Sequence, residues 1–365
     1  MSTPSPLHEV HSALGASFTD FAGWSMPVRY GSELAEHRAV REEAGLFDLS
    51  HMAEIEIEGP EAAKALDYAL VGDLSSVAIG RARYTMLCAS DGGVLDDLVV
   101  YRLDQERYLV VANAANTEVA ATQLTERAAG FAAKVVNRST EFALIAVQGP
   151  RSAGIVRAIS DADLDSLKYY ACMPATAAGI DLLLARTGYT GEDGFELYCT
   201  PEQAPQVWRA LTDAGESHGL VPAGLACRDT LRLEAGMPLY GHELSSERTP
   251  FEAGLGRVVK FDKDGDFVGR EALAARKEAG PGRVLVGLAG EGRRAPRAGY
   301  PVLGPDGERP IGEVTSGALS PTLGHPVAMA YVPAEHSEPG TSLFVDVRGK
   351  TVPVEVVALP FYRRS

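Results

Sequence analysis

A strand that turns through Gly-Pro into a helix occurs twice in this chain, and that repetition constrains the fold more than any other feature. In the first copy Ala53-Glu54-Ile55-Glu56-Ile57-Glu58 alternates like a half-buried strand, and Gly59-Pro60 opens the helical Glu61-Ala62-Ala63-Lys64-Ala65-Leu66. About 90 residues later, Phe142-Ala143-Leu144-Ile145-Ala146-Val147 leads through Gln148-Gly149-Pro150 into a helix over 151–159. In both copies proline sits in the first helical turn, which has no use for its N–H. Such an echo fits two related α+β modules.

Between the copies lies a three-stranded meander. A strand over 84–88 meets the turn-rich Ala89-Ser90-Asp91-Gly92-Gly93, then Val94-Leu95-Asp96-Asp97-Leu98-Val99-Val100-Tyr101. A second turn at Asp104-Gln105-Glu106 leads into Tyr108-Leu109-Val110-Val111-Ala112-Asn113. If the turns centre near Ser90 and Asp91 and near Gln105, Tyr84, Asp97 and Asn113 oppose one another on one face, and Asp96 faces away. Two readings of the aspartates stand. A carboxylate flanked by a phenol and an amide on an apolar sheet is a reaction site; alternatively, the pair frays a strand end into solvent.

Helices are expected at 33–44, 117–129, 201–218, 225–235 and 270–278. Ala279-Gly280-Pro281-Gly282 is the best linker, and beyond it the texture changes. Apolar runs at 284–288, 327–332, 343–347 and 352–358 alternate with turn signals, which predicts a small antiparallel β-barrel.

With 365 residues the chain is long enough for two or three domains. A formal net charge of −15, spread along the chain, repels phosphate backbones and disfavours nucleic acid as a partner. Cys88, Cys172, Cys199 and Cys227 are far apart without CxxC spacing, which argues for reduced thiols and against a structural zinc. The polar start Met1-Ser2-Thr3-Pro4-Ser5-Pro6 and the lack of an 18-residue apolar run point to a soluble, cytoplasmic protein with no membrane partner.

The sequence contains no GxGxxG after a strand, no Walker A, no HExxH and no GxSxG, and no histidine pair falls at metal-ligand spacing. His51, in Leu49-Ser50-His51-Met52, reads as a core or boundary histidine. In Arg186-Thr187-Gly188-Tyr189-Thr190-Gly191-Glu192-Asp193-Gly194-Phe195-Glu196-Leu197 three glycines permit close approach of a ligand. Glu196, returning into strand, either accepts two N–H bonds from a planar heterocycle or is a solvated hairpin glutamate. On the helix opened by Gly224-Leu225-Ala226-Cys227, Arg228 can clamp a carboxylate. The alternative there is a plain intrahelical arrangement with Asp229 and Arg232. The basic tip Tyr362-Arg363-Arg364 carries little by itself.

Taken together these segments resemble the aminomethyltransferase (T-protein) family of the glycine cleavage system. The likeness covers nearly the whole chain. It includes Asp20-Phe21-Ala22-Gly23-Trp24-Ser25-Met26-Pro27-Val28, Gly45-Leu46-Phe47-Asp48-Leu49-Ser50-His51-Met52 and Gly92-Gly93-Val94-Leu95-Asp96-Asp97-Leu98. It continues through 188–196 and 228–241 to Thr315-Ser316-Gly317 and Ser320-Pro321-Thr322-Leu323-Gly324. The resemblance implies an α+β three-domain cloverleaf with two related α/β modules, a C-terminal antiparallel β-barrel and tetrahydrofolate in a central channel. The expected domains are 1–50 with 140–245, 51–139 with 246–278, and 283–365.

The implied reaction moves the methylene carbon of the aminomethyl group on the dihydrolipoyl arm of H-protein to tetrahydrofolate. Ammonia leaves, and 5,10-methylenetetrahydrofolate and reduced H-protein remain. Tetrahydrofolate is a co-substrate; no metal, nicotinamide or flavin is called for. By the resemblance Asp97 is the catalytic aspartate, Glu196 holds the pterin edge, and Arg228 and Arg363 contact the glutamate tail. Met52, Tyr84, Asn113, Tyr169 and Tyr189 line the folate pocket. Arg257 stands where some relatives place an aromatic, a departure that leaves the pocket wall there open. A related tetrahydrofolate-dependent demethylase acting on another small donor fits the same Asp97. A folate-binding accessory protein for iron–sulfur assembly does not, because the Lys-Gly-Cys-Tyr-type motif of those relatives is Arg186-Thr187-Gly188-Tyr189 here.

Overall fold

In the computed structural model, which describes residues 2–364, the chain begins with a three-stranded sheet that the sequence reading did not anticipate. Its strands are β1 (Thr3–Pro4), β2 (Ser17–Phe21) and β3 (Trp24–Arg29), in the order β1-β3-β2. Helix α1 (His8–Ala13) is fastened by a buried network. His11 Nε2 lies 2.9 Å from Asp48 Oδ2, Tyr30 Oη lies 2.9 Å from His11 Nδ1, and Ser5 Oγ donates to Asp48 at 2.6 Å. Burial pushes the Asp48 carboxyl up, but His11, Ser5 and Ser50 together hold it below the usual carboxylate range. Helix α2 (Glu33–Glu42) stops short of the expected residue 44 because Ala44 is recruited into β4 (Ala44–Asp48), whose five residues are all buried.

The Gly-Pro echo is real and marks two equivalent modules. The first runs β5 (Ala53–Glu58), α3 (Ala62–Ala69), β6 (Ala82–Cys88), β7 (Val94–Asp104), β8 (Arg107–Ala112), α4 (Thr117–Ala128) and β9 (Lys134–Asn137). The second runs β10 (Ala143–Gln148), α5 (Ser152–Ile159), β11 (Cys172–Ala177), β12 (Ile180–Ala185), β13 (Gly194–Cys199), α6 (Ala204–Gly215) and β14 (Leu220–Pro222). Their sheets are ordered β6-β7-β8-β5-β9 and β11-β12-β13-β10-β4-β14, so the first four strands correspond one to one.

The corners correspond atom for atom. Gly59 and Gly149 both have φ of +133°, and a β-carbon there would lie 2.5 Å from the Ala132 oxygen and 2.6 Å from the Glu43 oxygen. Those two carbonyls accept the N–H of Glu61 (3.2 Å) and of Arg151 (3.0 Å), the residues after each proline. A side chain would block both bonds, so glycine is required.

The sheets meet edge to edge, with Ala82 N–H on Tyr170 O (2.9 Å) and Cys172 N–H on Gly80 O (2.8 Å). Equivalent arginines brace the two sides. Arg102 Nη1 donates to Val77 O at 2.8 Å and its guanidinium lies over Tyr108; Arg186 Nη1 donates to Leu167 O at 2.9 Å and lies over Phe195.

The meander has the register the sequence suggested at its second turn, with Val99 paired to Val111 and Tyr101 to Leu109. The first turn closes through Gly92 N–H on Ala89 O and Ala89 N–H on Gly93 O. One expectation fails. The alternating 53–58 segment predicts a wet face, yet Glu54 and Glu56 are 1% and 2% exposed. Arg107 (2.7 Å) and Arg138 (3.5 Å) neutralise Glu56.

By its contacts the chain divides into Met1–Thr85 with Leu98–Arg228, and Met86–Asp97 with Asp229–Ser365. Helix α7 (Leu225–Glu234) enters the second unit at Asp229, and α8 (Arg270–Ala279) follows before the barrel, whose strands are β15 (Arg283–Gly290), β16 (Pro301–Leu303), β17 (Pro310–Leu319), β18 (Pro326–Pro333), β19 (Ser342–Asp346) and β20 (Thr351–Val357). It closes in the order β15-β18-β17-β16-β19-β20 around a Val-rich interior. Two of its strands, β16 and β17, escaped the sequence reading because Pro and Gly interrupt them. In β17 those glycines admit neighbours: a β-carbon on Gly312 would sit 2.1 Å from Tyr331 O, and one on Gly317 2.4 Å from Pro296 O. No helix among the described residues is long and apolar enough to cross a membrane.

Candidate active site

Glu196 is not the solvated hairpin glutamate of the bland reading. It sits on β13 with 9% exposure, and its Oε2 receives hydroxyls from Thr187, Tyr101 (3.2 Å) and Tyr198 (3.4 Å). Burial, then the nearby Glu196 charge, pushes the Tyr101 phenol up, and burial does the same for Tyr198. Both phenols therefore stay protonated donors. Oε1 has no hydrogen-bond partner among the described residues. One carboxylate edge is fixed and the other is available, the arrangement that an N–H-rich heterocycle edge needs. Sequence reading missed Tyr101, Thr187 and Tyr198. The signal was alternation, since Tyr101 shares the odd-numbered face of β7 with Asp97 and Tyr198 shares that of Glu196 on β13.

Arg228 belongs to the same neighbourhood. Its guanidinium lies 4.9 Å from the centroid of the Tyr189 ring, and no carboxylate comes within ion-pair distance of it among the described residues. Burial depresses its basicity, with Tyr189 and Glu196 opposing. A guanidinium held by an aromatic face and left without an acid suits an incoming carboxylate.

His51, 3% exposed, packs edge-on to Phe21, and burial and then Arg228 push its pKa down to about 4. It is a neutral core imidazole. The unfolded chain takes a proton near pH 6.5 that the folded chain refuses, so this stability is complete above that pH and is lost toward pH 4. Urea unfolding should show the parent chain losing about 3 kcal/mol more than His51→Gln across that window. Parallel losses in the two proteins would contradict it.

The Gly-rich loop serves a different purpose from the one expected. A β-carbon on Gly188 would lie 2.0 Å from Gln148 Oε1, and one on Gly194 2.2 Å from Gln148 Nε2. The close approach is made by the buried Gln148 side chain, which donates to Thr187 O (3.0 Å) and accepts from Thr190 Oγ1 (3.0 Å). Two of the three glycines thus admit a loop-organising amide. Arg186 is likewise structural, paired with Asp193 at 2.6 Å.

In the second unit the hairpin carrying Asp97 is clamped. Val94 N–H donates to Arg248 O at 2.9 Å, and Gly93 lies so close to Ser246 O that no β-carbon fits. Asp96 is fully buried and Asp97 half-buried, so the expected alternation holds. Burial, then the Asp96 and Asp97 charges, pushes the Tyr240 phenol up. Tyr240 therefore stands near Asp97, another residue the sequence reading passed over. Arg232 makes the expected intrahelical bond, Nε to Asp229 Oδ1 at 2.8 Å, but it is buried rather than on the surface: Nη1 reaches Glu243 (2.9 Å) and Nη2 reaches Ser316 (2.8 Å). Ser320 and Thr322 bond the Glu234 carboxylate.

Of the remaining candidates, Met52 follows His51 and is half-buried, Tyr84 lies on β6, and Asn113 follows β8 and opens a short 3-10 turn. Tyr169 is 42% exposed beside Tyr170. Arg363 is exposed, one residue after Tyr362 N–H binds Glu234 O at 2.8 Å, and Arg257 is exposed too. Tyr189, Glu196 and Arg228 are the candidates brought into one group within the first unit. Among the described residues no three His, Cys, Asp or Glu side chains gather around a metal-sized point. All four cysteines are buried, and burial pushes Cys172 and Cys199 up to about 12.

Comparison with known proteins places this geometry. The profile described as the GCVT N-terminal domain matches residues 7–263, and that of the glycine cleavage T-protein C-terminal barrel domain matches 283–363. An aminomethyltransferase of Streptomyces avermitilis is 65% identical, and one of Saccharopolyspora erythraea 63% identical, each over the full length of both chains. A crystal structure of glycine cleavage system aminomethyltransferase T from Bartonella henselae superposes with a TM-score of 0.93 at 37% identity, covering 99% of this chain and 98% of its own. The chain belongs to the glycine cleavage T-protein family.

Proposed function

We propose that this chain catalyses aminomethyl transfer in the glycine cleavage system. It moves the methylene carbon of the aminomethyl group on the dihydrolipoyl arm of H-protein to tetrahydrofolate, releasing ammonia and forming 5,10-methylenetetrahydrofolate. Glu196 is the observation that carries this reading, because its carboxylate is fixed through one oxygen and leaves the other for the N–H donors of a pterin edge. The partner is lipoylated H-protein, and the setting is cytoplasmic.

In this reading Arg228 and Arg363 take the glutamate tail, and Met52, Tyr84, Asn113, Tyr169 and Tyr189 line the folate pocket. Asp97 is the catalytic group. The folate nitrogen attacks a carbon held between sulfur and nitrogen, and positive charge develops as ammonia departs. An ionised carboxylate orients that nitrogen and stabilises the charge. The domains in this reading are 1–50 with 140–245, 51–139 with 246–278, and 283–365. Arg257, exposed as it is, has no assigned part in the pocket wall.

The reading is tested by reconstitution. Aminomethylated H-protein and tetrahydrofolate should yield ammonia and methylenetetrahydrofolate at a rate proportional to this chain. Dimethylglycine or sarcosine supplied as donor should yield none. Folate-dependent demethylation of a free small donor, with H-protein ignored, would overturn it.

A further inference from the structure

Glu54 is the buried ionisable side chain that the reading above leaves unexplained. It lies on β5 with 1% exposure, and its Oε1 has no hydrogen-bond partner among the described residues. Among the described residues no cation pairs with its carboxyl. On its own strand Glu56 takes up Arg107 and Arg138; across the β5–β8 ladder stands apolar Val111. Arg138 donates its backbone N–H to Glu54 O (2.8 Å), but its guanidinium serves Glu56 and Glu141. Ser139 Oγ accepts the Glu54 N–H at 3.0 Å. From β13, Glu196 and Tyr198 lie within its electrostatic reach. A second carboxylate here would be desolvated and repelled by the first.

We propose that Glu54 acts as a neutral carboxylic acid alongside the Glu196 carboxylate, so that the two together offer a bound bicyclic lactam–amidine ring both a hydrogen-bond donor and an acceptor. The inference rests on the folate reading and deepens it. Glu196 accepts from ring N–H groups, and the acid proton of Glu54 goes to a ring carbonyl or imine nitrogen. The Glu54 carboxyl, unpartnered in the fold, then gains an acceptor. Burial, then the Glu196 charge, holds the Glu54 carboxyl well above its ordinary range, which favours the acid form. As pH rises through that raised value the donor is lost and a repelling charge appears, which weakens pterin binding.

Calorimetry with three probes tests this: tetrahydrofolate, 6-methyltetrahydropterin and p-aminobenzoylglutamate. Glu54→Leu should weaken 6-methyltetrahydropterin about tenfold or more while p-aminobenzoylglutamate changes less than about threefold. Glu54→Gln keeps a neutral donor and acceptor, so it should recover most of the lost affinity. Its affinity should also vary less with pH than that of the parent, which weakens as pH rises. Circular dichroism confirms that each variant is folded. The inference is overturned if Glu54→Gln loses as much as Glu54→Leu, if neither loses affinity, or if both fragments weaken alike. Failure of the parent chain to bind tetrahydrofolate at all would instead overturn the folate reading.

Discussion

Asp97→Asn is expected to lower kcat at least about a hundredfold, the usual scale for losing a positioned carboxylate in proton transfer or charge stabilisation. The side chain keeps its size and the hairpin its clamp, because Val94 is held through backbone to Arg248 and Gly93 packs on Ser246. The folate affinity should therefore change less than about threefold, which assigns the loss to the transition state. The Tyr240 phenol, raised partly by Asp97, should also titrate lower in the variant. Stopped-flow formation of methylenetetrahydrofolate gives the first quantity and equilibrium titration the second. Unaltered turnover would remove Asp97 from the mechanism, and a matching collapse of affinity would make it a binding residue only.

The largest stability effect is expected at Arg232. This side chain is 1% exposed and ties the Glu243 carboxylate, itself fully buried, to Asp229 and Ser316. Arg232→Met fills much of the volume but leaves Glu243 ionised and without its cation, a change worth about 3–5 kcal/mol. Urea unfolding followed through the second unit should show that loss. The double variant Arg232→Met with Glu243→Leu should recover at least half of it, because the cost lies mainly in the stranded charge. A single-variant loss under about 1 kcal/mol, or no recovery in the double variant, would contradict this account.

Much of this fold was legible in residue order. The Gly-Pro corners could be read because a positive φ and a tight approach demand glycine there, and proline marks the helix start. The 105-centred turn could be read because polar Asp104-Gln105-Glu106 interrupts two apolar runs. The N-terminal sheet and β17 could not, since short or glycine-interrupted strands carry little periodic signal.

At the site, Glu196 and Arg228 were found by chemistry, whereas the side chains that hold Glu196 were not. Tyr101 and Thr187 come from segments far apart in sequence, and only the folded sheets bring their hydroxyls to one oxygen. Glycines 188 and 194 were read as room for a ligand when they are room for Gln148. Two resemblance motifs, around Ser316 and Ser320, bind the buried Arg232 and Glu234 side chains. Glu54 was misread as wet because alternation reports which side a residue faces, not whether that side is covered.

The claim on which the account depends is that the Glu196 oxygen left unpaired in the fold receives a reduced pterin. Crystals of this chain soaked anaerobically with tetrahydrofolate test it directly. The pterin amino and ring N–H groups should lie within hydrogen-bond distance of Glu196 Oε1, with the glutamate tail directed to Arg228. A folate bound elsewhere, with Glu196 facing only water, would contradict it.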